Sequence, residues 1–321
     1  MSDLDDLVSV AIPNWNGAAF IAQCLDSVFD QSHPPSEVIV VDNGSTDGSV
    51  EIIRDSYPQI KLIERPRNEG FARGCNLAIQ RASSPFILIL NTDVFLDRDF
   101  LFEALQSLRS APDIGLIAAK IFQARSKQID NVGLYLKPWL KVVNSTNHSE
   151  PEFVFAGSGS SLLCRREMLE DIQESGEYFD ESFFAYWEDI DLAWRAQLRG
   201  WRCVFSPSAI AEHIGSGSQN GQVRVLEKPA FLQRHIWKNR YMILTKNASI
   251  GVLIWLMPWI FLFELFYWPF LLFRLPHRLP VFALAHIDFL RSLGNTIKRR
   301  QIIQQERRVG NREILKFFRR G

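Results

Sequence analysis

Three short apolar runs rich in β-branched residues, at 7–12, 37–41 and 86–90, constrain this chain more than any other feature. Each is apolar almost throughout, and each is followed by a polar turn. A strand of that kind is buried on both faces, as in a parallel sheet, not half-wetted as in an antiparallel one. Between the first two runs Phe20, Ile21, Cys24, Leu25, Val28 and Phe29 form one helical stripe. After the second, Val50, Ile53 and Tyr57 begin another, with Ser45, Thr46 and Asp47 as candidate caps. Strands alternating with helices at this spacing predict βαβ units and an α/β domain. Ligands in such sheets bind beyond the carboxyl ends of the strands, so the polar residues there come first.

Those residues are Pro13, Asn14, Trp15, Asn16 and Gly17 after the first strand, Asp42 to Gly48 after the second, and Asn91, Thr92 and Asp93 after the third. Asp42 has two readings: a carboxylate that accepts hydrogen bonds from a base or ribose, or the brace of an Asn-Gly turn. Asp93 likewise either holds a hard divalent cation through oxygen or closes an Asx-turn. Farther on, Ile190, Ala193, Trp194 and Leu198 keep helical spacing, which puts Glu188, Asp189 and Asp191 at or near a helix N-terminus. The helix dipole favours acids there by about 0.3–1 kcal/mol. A carboxylate among Phe183, Phe184, Tyr186 and Trp187 also suits a general base acting on a sugar hydroxyl. His213 follows a strand-like stretch at 203–210. It is either a hydrogen-bonded structural residue or, if Asp93 binds metal, a second ligand. No GxxxxGK[ST] loop or HExxH occurs, Gly157-Ser158-Gly159 lacks the third glycine of a dinucleotide fingerprint, and Gly215-Ser216-Gly217 is not GxSxG.

Charge divides the 321 residues in two. Residues 1–223 carry 18 Lys+Arg against 31 Asp+Glu, and residues 224–321 carry 18 against 5. We therefore expect a catalytic domain at 1–223 and a basic, aromatic-rich helical region at 224–321 suited to an anionic partner. The four cysteines form no CxxC pair and are expected to be reduced thiols. The acidic start, MSDLDDLVSV, has no apolar run after a basic one, so no signal peptide is expected and sequons such as Asn144-Ser145-Thr146 carry no weight. Residues 124–152 read as a long polar connection, functional or mobile.

Taken in order, the segments 10–17, 40–48, 68–76 (NEGFARGCN), 90–93 and 187–191 (WEDID) resemble family-2 glycosyltransferases, within them the rhamnosyltransferase-like branch. The resemblance covers about residues 7–218. It implies the GT-A fold, a mixed, mostly parallel sheet flanked by helices, here with a C-terminal apolar helical appendage. It further implies that Pro13, Asn14, Asn16, Asp42 and Asn43 hold the nucleoside, and that Arg73, Asn76 and Asn91 approach the donor. Asp93 matches the last Asp of the DxD metal motif, with Asn91 in place of the first. His213 matches a downstream histidine that contacts metal or pyrophosphate, Mg²⁺ or Mn²⁺ being the implied ion. Asp189 matches the base of the ED motif, with Asp191 as rival and Glu188 beside it. The implied reaction is inverting transfer of one sugar, such as rhamnose, from a nucleotide-diphosphate donor to a lipid-linked or polysaccharide acceptor in cell-envelope glycan synthesis. A single base with no nucleophile behind the sugar predicts inversion, by the carboxylate logic of inverting glycosidases.

Residues 250–273 are long and apolar enough to span a bilayer. Basic residues flank both ends, so charge assigns no orientation, and residues 281–293 read as short and amphipathic. We expect a monotopic or peripheral attachment to the cytoplasmic face of the membrane, with a single span or re-entrant hairpin as the alternative. No nucleic-acid partner is expected, since Lys298, Arg299 and Arg300 suit a solvated or headgroup-facing surface. Two competing classes are a catalytically silent GT-A-like scaffold and a nucleotidyltransferase. The second lacks a Gly-rich basic loop after the first strand.

Overall fold

The computed structural model describes residues 6–215, 218–219, 222–223 and 225–318. The start of the chain and the Ser216-Gly217 part of the glycine-serine motif lie outside them. The first half runs β1 (Val8–Asn14), α1 (Ile21–Phe29), β2 (Glu37–Asp42), α2 (Ser49–Ser56), β3 (Lys61–Glu64), α3 (Phe71–Arg81), β4 (Phe86–Leu90), β5 (Val94–Leu96) and α4 (Phe100–Arg109). Then come β6 (Ile114–Gln123), β7 (Ile129–Asn131), β8 (Leu134–Leu136), β9 (Val142–Asn144), β10 (Glu152–Val154), β11 (Ser161–Arg165), α5 (Arg166–Ile172), α6 (Glu188–Arg199) and β12 (Arg202–His213). Four helices follow: α7 (Ala230–Asn247), α8 (Ile250–Arg274), α9 (Leu279–Gln305) and α10 (Asn311–Leu315).

The main sheet has the order β10-β12-β6-β11-β4-β1-β2-β3, with β5 on β12 and β7 on β6. Strands β3, β2, β1 and β4 are parallel, as is the β6–β12 pair, while β11 runs antiparallel between β4 and β6. This is the expected mixed, mostly parallel sheet. Alternation along β1 sends Val8, Val10 and Ile12 into the core under α1, α2 and α4. Ala11 goes into the opposite core under α3, α5 and α6. Both faces are thus covered, which is why the strands read as continuous apolar runs.

Three sequence expectations change. Residues 124–152 are not a plain loop: β7 extends the sheet and β8 pairs with β9. These strands are three residues each, too short for periodicity to register. Helix α2 has the left-handed Gly48 before it and no side-chain cap, although Asp47 Oδ1 accepts the Ser49 N–H. The amphipathic stretch at 281–293 belongs to a continuous 27-residue helix, α9, which carries Gly294 in its interior at a cost of about 1 kcal/mol and runs on to the turn at 306–310.

The four C-terminal helices close the core on the α3 side. Helix α8 buries Val252, Leu256 and Ile260, one stripe at four-residue spacing, and leaves most of its other large apolar side chains exposed. Phe317 and Phe318 pack at a tilt against Phe155, and Phe318 also meets Trp194 edge-on, inside the core. The charge asymmetry is in part intramolecular. Lys246 pairs with Asp180 and Asp191, Arg299 with Glu174, Glu177 and Asp180, and Arg308 with Asp171. Much of the excess positive charge therefore answers the acidic front half, not an external partner alone.

Candidate active site

The polar turns converge at the carboxyl end of the parallel strands. Asp42 ends β2, 2% exposed, and both its oxygens are engaged within the chain. Oδ1 accepts from Asn14 Nδ2 (2.7 Å) and Ser45 Oγ (2.5 Å), and Oδ2 accepts the N–H groups of Gly44 and Ser45 (both 3.0 Å). Asp42 is therefore the brace of its turn. Asn16 links the first two loops: its N–H donates to Ser45 Oγ, and its Oδ1 accepts the Thr46 N–H. Asn43 donates to the Gly70 carbonyl, and an added Cβ on Gly74 would lie 2.9 Å from the Pro13 Cβ, so β1, the β2 turn and α3 are in close contact. Asn76 is turned inward, binding the N–H groups of Tyr178 and Phe179, the Phe179 carbonyl and Glu181. Arg73 also pairs with Glu181, at 2.8 Å.

On the other side of β1, β5 and β12 pair so that His213 lies opposite Val94, with the Ile214 N–H donating to the Asp93 carbonyl. His213 Nε2 is 3.4 Å from Asp93 Oδ2, and its Nδ1 is 3.0 Å from Asp130 Oδ2 on β7. Burial disfavours the imidazolium. The hydrogen bonds and charges of Asp130 and Asp93 outweigh that and hold its pKa at about 9. Without a cation that proton supplies the positive charge beside Asp93; a divalent ion taking the Nε2 lone pair would displace it. Two ligands on adjacent positions of a small octahedral cation stand about 3 Å apart, so this pair fits a divalent ion, with Asp130 orienting the imidazole from behind. Asn91 Oδ1 is buried and has no hydrogen-bond partner among the described residues. Among the described residues no three His, Cys, Asp or Glu side chains are grouped to hold a metal, so remaining ligands would come from substrate phosphates and water.

The acidic segment divides sharply. Asp191 is 0% exposed, and Arg195, Lys246 and Asn247 donate to its oxygens at 2.7–2.9 Å. Glu188 is enclosed too. Burial and the adjacent Asp189 charge push it up to about 8, so it keeps its proton at neutral pH. Asp189 is half-buried; Gly159 N–H donates to its Oδ2 (3.0 Å) and Ile190 N–H to its Oδ1 (2.8 Å). Burial raises its pKa against those two bonds, which makes it a stronger base than an ordinary aspartate. The turn 158–160 joins the two halves of the site: Gly159 binds Asp189, and the Ser160 carbonyl accepts the Asn91 N–H at 2.9 Å.

Neither Asp130 nor the Gly159 N–H is marked by a motif, and Ser45, a candidate helix cap in the sequence, instead braces Asp42. A backbone donor has no side-chain signature. Nothing in the spacing tied Asp130 to His213, 83 residues away. All four cysteines are free and buried.

Comparison with known proteins agrees with this architecture. The chain is 24% identical over 210 residues to a poly-β-1,6-N-acetyl-D-glucosamine synthase of Staphylococcus epidermidis, covering 63% of this chain and 48% of that one. It therefore spans about half the length of that relative. It is 25% identical over 240 residues to the N-acetylglucosaminyl-diphospho-decaprenol L-rhamnosyltransferase of Mycobacterium tuberculosis, covering 65% and 76%. A mannosyltransferase of Pyrobaculum calidifontis, solved with GDP-Man and Mn²⁺, shares the fold with a TM-score of 0.54 at 18% identity, over 93% of this chain and 85% of that one. Such neighbours are GT-A enzymes, and the sheet described above is of that type. Residues 9–173 match the family model described as Glycosyl transferase family 2, and the chain belongs to that family.

Proposed function

We propose that this glycosyltransferase moves one sugar from a nucleotide-diphosphate donor to a lipid-linked or polysaccharide acceptor, with inversion, in envelope glycan synthesis. The observation that carries this reading is the 158–160 turn, bonded to Asn91 on the donor side and to Asp189 on the other. Asp42, braced by Asn14 and Ser45, offers its loop to the nucleoside together with Pro13, Asn16 and Asn43. Asp93 and His213 would hold Mg²⁺ or Mn²⁺, which when bound neutralises charge on the departing diphosphate. Asp189 takes the proton of the acceptor hydroxyl. The hydroxyl oxygen forms its bond to the anomeric carbon while the bond to the diphosphate oxygen breaks and its electron pair leaves with the nucleotide. Glu188, protonated, does not compete for the proton. Asp191 has no free oxygen and anchors the helix. Rhamnose is supported as the sugar by the mycobacterial relative.

Residues 1–223 form the catalytic unit in this reading, and 224–321 attach it to the cytoplasmic face of the membrane. Helix α8 is long and apolar enough to cross a membrane, and only 17% of its most apolar window is buried. An exposed apolar surface of that extent marks an interaction site. A groove of about 490 Å³ between Trp139 and the α8 residues Trp259, Phe263, Phe266 and Phe270 offers apolar lining to a lipid tail. The test is a thermal-shift series with UDP-GlcNAc, GDP-mannose and dTDP-rhamnose, each with and without Mn²⁺. A ligand at a hundred times its Kd stabilises by about 2.7 kcal/mol. Absence of any shift across the series favours the silent scaffold.

A further inference from the structure

Helix α7 grips the segment carrying Asp189 at both ends. On the N-terminal side the two N–H groups of the Asn239 amide are shared among three carbonyls, those of Phe183 (2.9 Å), Ala185 (2.9 Å) and Tyr186 (2.7 Å). Lys238 Nζ donates to the Ser182 carbonyl, and the His235 ring stacks on Phe184 with centroids 4.9 Å apart. The backbone held this way is strained. Phe184, Tyr186 and Trp187 have φ of 65°, 68° and 73°, a region that non-glycine residues occupy only when their surroundings impose it. On the C-terminal side Lys246 Nζ, fully enclosed, donates to Asp191 Oδ2 and Asp180 Oδ2 at 2.8 Å each, and Asn247 donates to Asp191 Oδ1 at 2.7 Å.

Asn239 and Lys246 are seven residues apart, two helical turns, so one face of α7 reaches both ends of the segment. Asp189 lies between the two grips. A helix serving only as packing would meet this segment with apolar side chains. Here Asn239 is 0% exposed, and its amide nitrogen serves only carbonyls in or next to the strained loop, that of the positive-φ Tyr186 among them. Neither grip falls within residues 9–173, where the family match ends.

We propose that α7 positions Asp189 for the transfer step, with Asn239 fixing the strained loop before it and Lys246 fixing Asp191 after it. Both are positioning residues, and the C-terminal region is thereby part of the catalytic apparatus as well as its attachment. The proposal rests on Asp189 being the base.

The test is a double-mutant cycle of Asn239→Ala and Asp189→Asn in the full-length chain. One readout is release of nucleoside diphosphate, with Mn²⁺, from whichever of UDP-GlcNAc, GDP-mannose and dTDP-rhamnose most stabilises the protein. The second is amide hydrogen exchange at 183–190, which needs no donor. Asn239→Ala is expected to speed exchange at 183–190 but not at 8–14, and to lower release about a hundredfold at unchanged donor Kd. In the Asp189→Asn background it should cost nothing more, since positioning acts through that carboxylate. An equal fold-loss in both backgrounds, or unchanged exchange at 183–190, overturns the proposal. Full activity of Asp189→Asn removes the base assignment and this proposal with it. An inactive Asp189→Asn beside a fully active Asn239→Ala removes the proposal alone. Should Asn239→Ala fail to fold, Asn239→Ser and Lys246→Arg carry the same cycle.

Discussion

The backbone N–H of Gly159 donates to Oδ2 of Asp189 over 3.0 Å, and a Cβ added to that glycine would lie 3.2 Å from the Asp189 Cβ. The carboxylate is thus aimed by a donor that leaves no room for a side chain. Gly159→Ala keeps the N–H but displaces Asp189 by a few tenths of an ångström. We expect turnover to fall about tenfold at unchanged donor affinity, read from kcat and calorimetric Kd on the same preparation.

Asp189 and Asp191 should fail in different ways. Asp189→Asn keeps shape and loses the proton acceptor. Transfer should drop by about a hundred- to ten-thousand-fold while donor binding and Tm hold. Asp191→Ala leaves Lys246 and Arg195 buried short of a counter-charge, and should cost about 3–5 kcal/mol of stability by urea denaturation. A stable, inactive Asp191 variant beside an active Asp189→Asn would reverse the assignment.

Metal dependence separates the two donor-side acids. Asp93→Ala should abolish the Mn²⁺-dependent part of nucleoside-diphosphate binding. Asp42→Ala, by releasing the Asn14 and Ser45 contacts, should weaken binding with or without metal. Calorimetry with UDP and GDP, each with and without Mn²⁺, decides. An Asp93→Ala protein with wild-type metal dependence takes Asp93 out of the metal site.

Glu188 gives a pH dependence of definite sign. Its pKa is about 8 in the folded chain, against 4.5 as its ordinary value. Between those values the folded state holds a proton that the unfolded state has released, so stability falls as pH rises across that interval. Glu188→Gln cannot ionise. Its Tm advantage over the parent should be small near pH 4.5, grow steadily, and level off above about pH 8. A Tm difference that is flat from pH 4.5 to 8.5 contradicts this.

Membrane attachment should depend on α8 side chains that do not support the core. Phe266 and Phe273 are 72% and 79% exposed. Replacing both with Asp should leave Tm unchanged and reduce flotation with anionic vesicles at least tenfold, each buried Phe being worth about 1.5–3 kcal/mol. High salt should release little of the parent chain, because screening does not weaken apolar burial. Ending the chain at Asn247 is a different experiment. It removes Phe317 and Phe318 from the core and Arg299 from Glu174 and Asp180, and should yield aggregate, not a soluble catalytic domain.

By itself the sequence determined three of the parallel strands, the α/β class and the position of the polar turns. Strand burial, turn chemistry and helical spacing are local properties, written into runs such as 37–48 and 86–93. It also placed Asp93 and His213 as partners, through motif order alone. Tertiary structure decided which member of each acidic group does what. Asp189 and Asp191 are two residues apart on one helical turn, and no local rule tells them apart. Lys246 and Asn247, more than 50 positions later, lock one, while the Gly159 N–H meets the other. The basic tail shows the same limit. Net charge gave an excess of cations but not their partners, since pairing depends on distance in the fold, and several reach acids of the front half before any membrane.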